Sequence, residues 1–437
     1  MSRPVSRWDA EEALLAGAAA GRFVRPAWNG RSLPNLARSL FGAVGREPLD
    51  PPLPLAPPLD ERLDPARGRQ LEGPVVLFLV DSLGWCSFRQ ALQAPEGHAP
   101  GTLDRWAELA HPISTVFPST TTAALTAIST ASFPGRNGIV GHREFLPRWG
   151  VVADMLRMAP MTAPGHDTLI GPGWDPRDLT GLPTIFQLGL PACVLTRDRF
   201  AGTGFTRLLY AGAEFCGYTT ASDLAHQLIQ LLGRPAPPPV IFAYWDELDT
   251  VHHFRGPEPY LFELELERIA HLLGSVARRV GSVRARSTQV WVTGDHGQVP
   301  APESANLAID QQPGVLSALV HPPGGDRRAA FFAVRDGRMA ELEATVRPLL
   351  PADSLFRPMR EAIADGLFGP APHHPEIGLR TGDLLVVPSQ PAGITYAAPG
   401  DPVPRKRFLG AHSGLEREEM WVPLVAGSLE ELGGARH

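Results

Sequence analysis

Acidic and histidine side chains follow three separate apolar segments of this 437-residue sequence, and they are Asp81, Asp249, His253, Asp295 and His296. Each of them alone is commonly a turn residue, a helix cap or a surface group. Together, carboxylate oxygens and imidazole nitrogens are the ligands that zinc takes in proteins, with manganese or iron as alternatives. Asp249 and His253 are four residues apart, so on a helical turn both would reach one ion. His412, late in the chain, is a further candidate ligand.

The segment 115–142 offers a nucleophile. A run of hydroxyl residues, 119–122, leads into the small-residue stretch 122–131, which we expect to be helical. A hydroxyl at a helix N-terminus lies at the positive end of the dipole, and the unpaired N–H groups there bind phosphate. Coordination to a metal would activate such a weak nucleophile. The alternative is that these residues simply cap the helix.

Three continuous apolar runs must position the candidate ligands, namely VVLFLV (75–80), VIFAYW (240–245) and QVWVTG (289–294). Runs of this kind are typical of central parallel strands that are covered on both faces. Weaker strand signals occur at 191–196 and 384–388, and helical patterns occur at 222–232 and 260–281. The alternation predicts an α/β fold, a mostly parallel central sheet flanked by helices. Ligands of such sheets bind outside the carboxyl ends of the strands, where these acids and histidines lie.

Two parts of the chain are less regular. The proline-dense stretch 47–65 must be extended or irregular, and it is interpreted as a strap or linker instead of core. Between 300 and 400, the segments 329–334 and 338–350 resemble a strand and a helix, and 376–388 resembles a late pair of strands. This region is expected to be a small insertion beside the main sheet.

Composition excludes several classes of protein. The chain is 43% hydrophobic and 20% charged, which is typical of a globular protein and not of a disordered one. Its net charge of −6 gives no signal for nucleic-acid binding, and three cysteines are too few for a disulfide framework. We see neither a transmembrane segment nor a convincing signal peptide, and therefore expect a cytoplasmic protein. The sequence does not indicate an oligomeric state.

The order of these residues resembles the alkaline phosphatase superfamily, and most closely its type I phosphodiesterase/nucleotide pyrophosphatase family. The family pattern is an Asp after the first strand, a Ser or Thr nucleophile, Asp-x-x-x-His, Asp-His-Gly and a late His. The matching residues are Asp81, Thr121, Asp249, His253, Asp295, His296 and His412. In the superfamily the nucleophile commonly lies ten residues before the small residue that closes a Thr-Gly pair. Here that pair is Thr130-Ala131, which selects Thr121, with Thr120 as the second choice and Ser119 as the third.

The resemblance implies an alkaline phosphatase-like fold and two divalent metal ions, zinc first, with manganese or iron as alternatives. Asp249, His253 and His412 would hold one ion. The other would be held by Asp81, Thr121, Asp295 and His296. The implied chemistry is a two-metal displacement at phosphorus through a phospho-threonine intermediate on Thr121.

Substrate choice departs from the family pattern at one position. The family places an Asn at the end of a G-I-x-x-N segment to bind a phosphoryl oxygen, and this chain has GIVGH, which ends in His142. A histidine can donate the same hydrogen bond in a pH-dependent way. The arginine clamp of the monoesterase branch has no clear counterpart here, which favours diesters. We therefore expect a phosphodiesterase/nucleotide pyrophosphatase acting on a small-molecule phosphate ester or nucleotide. The alternatives are a phosphomonoesterase, a phosphonate hydrolase or a catalytically degenerate binding module.

The expected ligands run from Asp81 to His412, and one sheet edge must gather them. Most of the chain therefore belongs to one catalytic domain. We predict an N-terminal helical and proline-rich extension at 1–73, a catalytic domain formed by 74–300 with 401–437, and an insertion or cap subdomain at 301–400 packed on the same domain.

Overall fold

The protein is described by a computed structural model that covers residues 5–16, 22–44, 55–93, 102–171, 174–397 and 408–434. Its strands are β1 Val75–Val80, β2 Ala110–Ser114, β3 Arg143–Leu146, β4 Val151–Asp154, β5 Ala159–Pro160, β6 Ala192–Arg197, β7 Glu214–Tyr218, β8 Val240–Trp245, β9 Gln289–Gly294, β10 Val299–Pro300, β11 Asn306–Ala308, β12 Gly324–Asp326, β13 Ala329–Phe332, β14 Leu355–Pro358, β15 Leu384–Val387, β16 Gly393–Thr395, β17 Gly410–Ala411 and β18 Trp421–Ser428. Its α-helices are α1 Val5–Ala16, α2 Leu33–Val44, α3 Trp85–Gln93, α4 Thr102–Leu109, α5 Thr121–Thr130, α6 Pro134–Asn137, α7 Gly204–Tyr210, α8 Ala221–Leu232, α9 Glu247–Arg255, α10 Pro259–Val280, α11 Ser282–Ser287, α12 Pro313–Ala318, α13 Met339–Val346, α14 Met359–Ala364, α15 Ile377–Thr381, α16 Arg417–Met420 and α17 Leu429–Leu432.

The central sheet has seven strands in the order β2-β18-β9-β1-β8-β6-β7. Strands β9, β1, β8, β6 and β7 are parallel to one another, whereas β18 runs antiparallel to both β9 and β2. The three strongest predicted strands are therefore neighbours at the centre of the sheet, with β1 in the middle. This arrangement confirms the predicted α/β fold with a mostly parallel central sheet flanked by helices.

Strand β1 shows why a continuous apolar run belongs at this position. Its alternate residues Val76, Phe78 and Val80 pack into one hydrophobic cluster, together with residues of α3, α8 and α10. The intervening residues Val75, Leu77 and Leu79 pack into a second cluster on the opposite face, with α2, α5 and α7. Because helices cover both faces, every side chain of the strand must be apolar.

A second seven-stranded sheet lies in the order β14-β15-β13-β12-β3-β4-β5. It takes strands from 143–160 as well as from 324–387, and its pairings are antiparallel. The predicted insertion at 301–400 thus pairs with chain that lies between α6 and β6. The division into three parts stays a prediction. The expected pair of strands at 376–388 is wrong, because its first half forms helix α15 and only 384–387 forms a strand.

The N-terminal part packs more closely than its sequence indicates. Helix α2 has a buried apolar face in the same cluster as β1, and Ala56, Leu59 and Leu63 of the following segment are also buried. The interpretation of 47–65 as a strap or linker outside the core is therefore wrong at Ala56, Leu59 and Leu63, and 47–54 lie outside the described residues. Proline keeps this segment irregular, but its leucines still gain from burial against α2.

Buried Arg328 joins the two sheets. It lies between β12 and β13, and its guanidinium group donates to Glu419 at 2.9 Å and to Glu416 at 3.1 Å on the chain leading into β18. Its backbone N–H donates to Ser413 Oγ at 3.0 Å, next to the candidate ligand His412. The second sheet is thus anchored beside the carboxyl edge of the central sheet. Among the described residues, no helix is long and apolar enough to cross a membrane.

Candidate active site

The carboxyl ends of three adjacent strands meet at one point. Strand β1 pairs in parallel with β8 and β9, and Val80 lies opposite both Trp245 and Gly294. The residues that follow each strand therefore emerge side by side at the same edge. Asp81 follows β1, Asp295 follows β9, and helix α9 starts immediately beyond β8.

Asp81, Asp295 and His296 form the first group of candidate ligands. Their ligand atoms lie within 4.8 Å of one another. His296 Nε2 is 3.4 Å from Asp81 Oδ1 and 3.6 Å from Asp295 Oδ2. The same nitrogen lies 3.1 Å from Thr121 Oγ1 at the first residue of α5. Two carboxylates, an imidazole and a hydroxyl thus converge on one small volume.

Asp249, His296 and His412 form a second group within the same 4.8 Å limit. His253, one turn after Asp249 on α9, joins it with Nε2 at 3.3 Å from Asp249 Oδ1. The rings of His296 and His412 stack with centroids 3.8 Å apart. The other ring nitrogens of His253 and His412 face the backbone oxygens of Gly410 and Ser119 at 3.1 and 3.0 Å, which fixes both rings. His296 therefore lies between the two groups.

Burial disfavours the charged form of the site's carboxyl groups unless a cation lies beside them. Asp81 and Asp295 are 4% and 0% exposed, and Asp81 Oδ1 and Asp295 Oδ2 have no hydrogen-bond partner. Burial raises the pKa of Asp81 well above its usual value, and the charges of Asp295 and Asp249 raise it further. Burial also raises the pKa of Asp295. Burial and the neighbouring histidines lower the pKa of His412. Unpartnered carboxylate oxygens beside imidazole nitrogens are the donor set of a divalent metal, so these residues fit the predicted ions.

The three candidate hydroxyl groups point to different partners. Ser119 is buried and donates to the backbone oxygen of Gly414 at 2.9 Å, and Thr120 donates to Asp326 at 3.1 Å. Only Thr121, of these three, faces the His296 imidazole. Helix α5 ends at the Thr130-Ala131 pair from which Thr121 is selected, and Ala131 adopts a left-handed φ of 43° there. A glycine takes that conformation without strain, which is the residue that the Thr-Gly pattern expects there.

The glycines of the Gly-Asp-His-Gly motif allow the loop beside the site to pack closely. A Cβ on Gly297 would lie 1.9 Å from the backbone oxygen of Glu418 and 2.9 Å from the Cα of Gly84. A Cβ on Gly294 would lie 2.3 Å from the backbone oxygen of Leu83. The loop after β1 can therefore reach Asp295, whose Oδ1 accepts the backbone N–H of Ser82 at 3.0 Å.

A cavity of about 450 Å³ opens in front of Thr121 and His412. Its far wall belongs to the second sheet and its neighbours, and it is lined there by Leu156, Pro323, Gly324, Asp326, Arg327, Ala330, Ile394, Thr395 and Tyr396. His142 lies in the same cavity with Nε2 at 3.6 Å from Asp154 Oδ2. Burial opposes a charge on His142, but Asp154 outweighs it, so the pKa of His142 is raised. Arg157 fixes Asp154 with a bond of 2.8 Å from Nε to Oδ2.

Sequence reasoning missed several residues that orient the site. The Tyr244 hydroxyl donates to Asp81 Oδ2, and the Gln298 side-chain amide donates to Asp249 Oδ1 at 2.6 Å. A tyrosine inside an otherwise apolar buried strand was the available signal, since its hydroxyl needs a partner. Asp246, by contrast, follows β8 directly but pairs with Arg197 and Arg199, away from the candidate ligands.

Residues 190–402 match the family model "Type I phosphodiesterase / nucleotide pyrophosphatase". This match confirms the resemblance that the motifs indicated. It also confirms the predicted enzyme class, because the family consists of hydrolases of phosphoric ester and phosphoanhydride bonds. No curated protein matches the chain at the sequence level.

Two solved structures share the fold. An inactive variant of murine ectonucleotide pyrophosphatase / phosphodiesterase 5 in complex with AMP has 15% sequence identity and a TM-score of 0.58, over 82% of this chain and 88% of that one. Phosphonoacetate hydrolase from Sinorhizobium meliloti in complex with phosphonoformate has 17% identity and a TM-score of 0.56, over 83% of this chain and 95% of that one. At these identities the likeness concerns the fold alone.

Replacing Tyr244 with Phe should weaken metal binding without unfolding the protein. The substitution removes the hydrogen bond that orients Asp81, and losses of this kind cost about 10- to 100-fold in metal affinity. Competition with a chromogenic chelator measures the effect. Tyr218→Phe is the matched control, because its buried hydroxyl donates to a backbone oxygen instead. An equal loss of affinity in both variants would contradict the assignment.

Proposed function

We propose that this protein is a two-metal phosphodiesterase with Thr121 as its nucleophile. The proposal proceeds from the match of residues 190–402 to the type I phosphodiesterase / nucleotide pyrophosphatase family. Its ions are zinc, with manganese or iron as alternatives. One ion is held by Asp81, Asp295 and His296 together with Thr121. The other is held by Asp249, His253 and His412.

The observation that carries the proposal is the convergence of these side chains on one volume. His296 Nε2 lies 3.1 to 3.6 Å from a hydroxyl and two carboxylates, and two of the buried carboxylate oxygens accept no hydrogen bond. A general-base histidine would pair with one orienting carboxylate. Two buried carboxylates around the same nitrogen, each with an unpartnered oxygen, are instead the arrangement that a divalent cation stabilises.

In this mechanism Thr121 loses its hydroxyl proton to solvent and Oγ1 attacks the phosphorus. The bond from phosphorus to the ester oxygen on the opposite side breaks, and that oxygen leaves with a proton from solvent. A phospho-threonine forms, and water then displaces Thr121 to release the phosphoryl product. Bound metal ions supply Lewis-acid activation of the nucleophile and stabilise the leaving oxygen. Thr121 is the first residue of α5, so the N–H groups of the first turn, which have no partner within the helix, point towards the phosphoryl oxygens.

His142 takes the place of the family asparagine as a donor to a phosphoryl oxygen. Its ring lines the cavity of Thr121, and Asp154 holds it on the wall formed by β3 and β4. Asp326 lies in the same cavity, hydrogen-bonded to Thr120. Arg143 and Arg327 line the same cavity, but Asp326 is the charged side chain bonded directly beside the nucleophile. Its repulsion of the second negative charge of a monoester therefore makes the pocket favour diesters.

The experiment that tests the function is a substrate panel on metal-loaded protein. We expect an aryl phosphodiester or a dinucleotide to be hydrolysed faster than the matching aryl monoester and faster than a phosphonate. A monoester or phosphonate rate higher by orders of magnitude would replace this proposal with the corresponding alternative. A purified protein that binds no metal and shows no activity after metal addition would instead indicate a binding module.

Thr121→Ala should abolish most diester turnover, by about 10⁴-fold or more, because it removes the hydroxyl that attacks phosphorus. Metal analysis should still find bound metal, since the carboxylate and imidazole ligands persist. Thr120→Ala is the matched control, and it should retain turnover because its hydroxyl bonds to Asp326. Full activity in Thr121→Ala together with loss in Thr120→Ala would transfer the role to Thr120.

His142→Asn should change the pH dependence of KM. Asp154 raises the pKa of His142 above its usual value, with a smaller contribution from Asp326, whereas burial and Arg143 oppose the charge. The cationic form therefore prevails below that raised pKa and is lost as the pH increases through it. A charge-assisted hydrogen bond exceeds a neutral one by about 1 kcal/mol, so the wild-type KM should increase roughly fivefold across this range. The Asn variant should lack this change, and an identical KM profile in both proteins would exclude the role.

A further inference from the structure

A second cluster of potential ligands lies at the far edge of the central sheet. Cys193 is on β6, and Glu214 and Cys216 are on β7, the last strand of the sheet. One ligand atom from each of these residues lies within 4.8 Å of the other two. None of the three has a role in the proposed hydrolysis.

The strand register puts the three side chains on one face. Cys193 lies opposite Glu214, and Leu195 lies opposite Cys216. Residues two apart on a strand share a face, so Cys193, Glu214 and Cys216 all point to the same side. Cys193 is fully buried, whereas Cys216 and Glu214 are progressively more exposed, so the cluster opens from the core towards solvent.

A disulfide does not fit this register. The two cysteines are diagonal neighbours, for which Cα atoms on adjacent strands are about 7–8 Å apart. Disulfides bridge Cα separations of about 4.4–6.8 Å. A metal ion spans a larger gap, because sulfurs that are each about 2.3 Å from a tetrahedral zinc lie about 3.8 Å apart. Cys216 Sγ lies 3.8 Å from Glu214 Oε1, which is a separation that such a site can use.

Charge balance also favours a divalent metal ion at this cluster. Arg234 contacts both carboxylate oxygens of Glu214, at 3.0 and 3.1 Å. Oε1 can turn towards an ion while Oε2 keeps its bond to Arg234 Nη1. Two thiolates and one carboxylate then carry three negative charges, which a divalent ion and Arg234 neutralise. Burial raises the pKa of both thiols, so a bound cation is needed for them to ionise together.

We propose that Cys193, Cys216 and Glu214 form a binding site for one thiophilic divalent cation of the zinc type. Water completes its tetrahedral coordination at the exposed side. This site is separate from the catalytic cluster, in which the proposed ligands are oxygen and nitrogen atoms. Binding there ties the edge strand β7 to β6.

Cadmium titration of the full chain, followed by ultraviolet absorbance, tests the site. Cadmium bound to thiolates produces a sulfur-to-metal charge-transfer band, which a site made of carboxylates and imidazoles lacks. The band therefore reports on this site even when the catalytic cluster also fills. We expect the band to saturate at one equivalent of thiolate-bound cadmium per chain, and zinc to displace it.

The variants are chosen so that folding and binding are separable. Cys216→Ala should lose the band, and Glu214→Gln should retain it with about tenfold weaker binding or more. Cys86→Ala, on α3, is the matched control and should leave both the band and its affinity unchanged. Circular dichroism verifies that each variant is folded. If Cys193→Ala does not fold, the test relies on Cys216→Ala and Glu214→Gln, because these two residues are less buried.

The proposal is overturned if wild-type protein shows no charge-transfer band. It is also overturned if the band survives in Cys216→Ala or disappears in Cys86→Ala. Diester hydrolysis by Cys216→Ala should equal that of the wild type. Loss of the band with intact hydrolysis would therefore report on this site alone. If the metal-site proposal fails, the proposed hydrolase function is not affected.

Discussion

The burial of ionisable carboxylates at the end of β1 and β9 is the constraint on which the rest of the site depends. Asp81 and Asp295 each present an oxygen without a hydrogen-bond partner to a volume closed to solvent. Removing such a charge from water costs several kcal/mol unless a compensating charge is bound. Their other oxygens accept bonds from Tyr244 and from the N–H groups of Ser82 and His296. The protein thus fixes each carboxylate from one side and leaves the other side for a cation.

The position of the late histidine depends on a second buried charge, Arg328. Its ion pairs with Glu416 and Glu419 hold the second sheet against the chain that precedes β18. The same glutamates organise the loop around His412, because Glu419 also accepts the backbone N–H of Gly414 at 2.9 Å. Breaking one partner of a buried pair costs about 3–5 kcal/mol, so this loop is rigid enough to present an imidazole. The wall of the cavity and the last candidate ligand are therefore fixed by one network.

The hydrophobic pattern of the sequence correctly predicted the central strands of the sheet. Strands β1, β8 and β9 coincide with the predicted runs because a strand covered on both faces is built mainly from apolar residues. The secondary-structure prediction fails where a contact with a residue distant in the sequence determines the local structure. Residues 377–381 form a helix in which buried Arg380 reaches the backbone oxygens of Gly138 and Leu179, about 200 or more residues away in sequence. The sequence also pointed to the family's ligands, whereas the Tyr244 hydroxyl that orients one of them depends on strand pairing that a linear pattern does not contain.

Charge inside the cavity decides which phosphate esters it can accept. Arg143 and Arg327 line it, and each guanidinium group donates to backbone oxygens. Arg327 donates to the backbone oxygens of Ala301 and Phe408, at 3.1 Å for the latter, and Arg143 donates to that of Tyr396 at 3.0 Å. Asp326 adds a negative charge beside Thr120. Neutral backbone oxygens do not cancel the charge of a guanidinium group, so both arginines attract phosphate together with His142 and any bound metal ions. The proposed preference for diesters therefore depends on Asp326, which bonds to Thr120 directly beside the proposed nucleophile, whereas Arg143 and Arg327 each direct donors at backbone oxygens instead of forming a bidentate phosphate clamp.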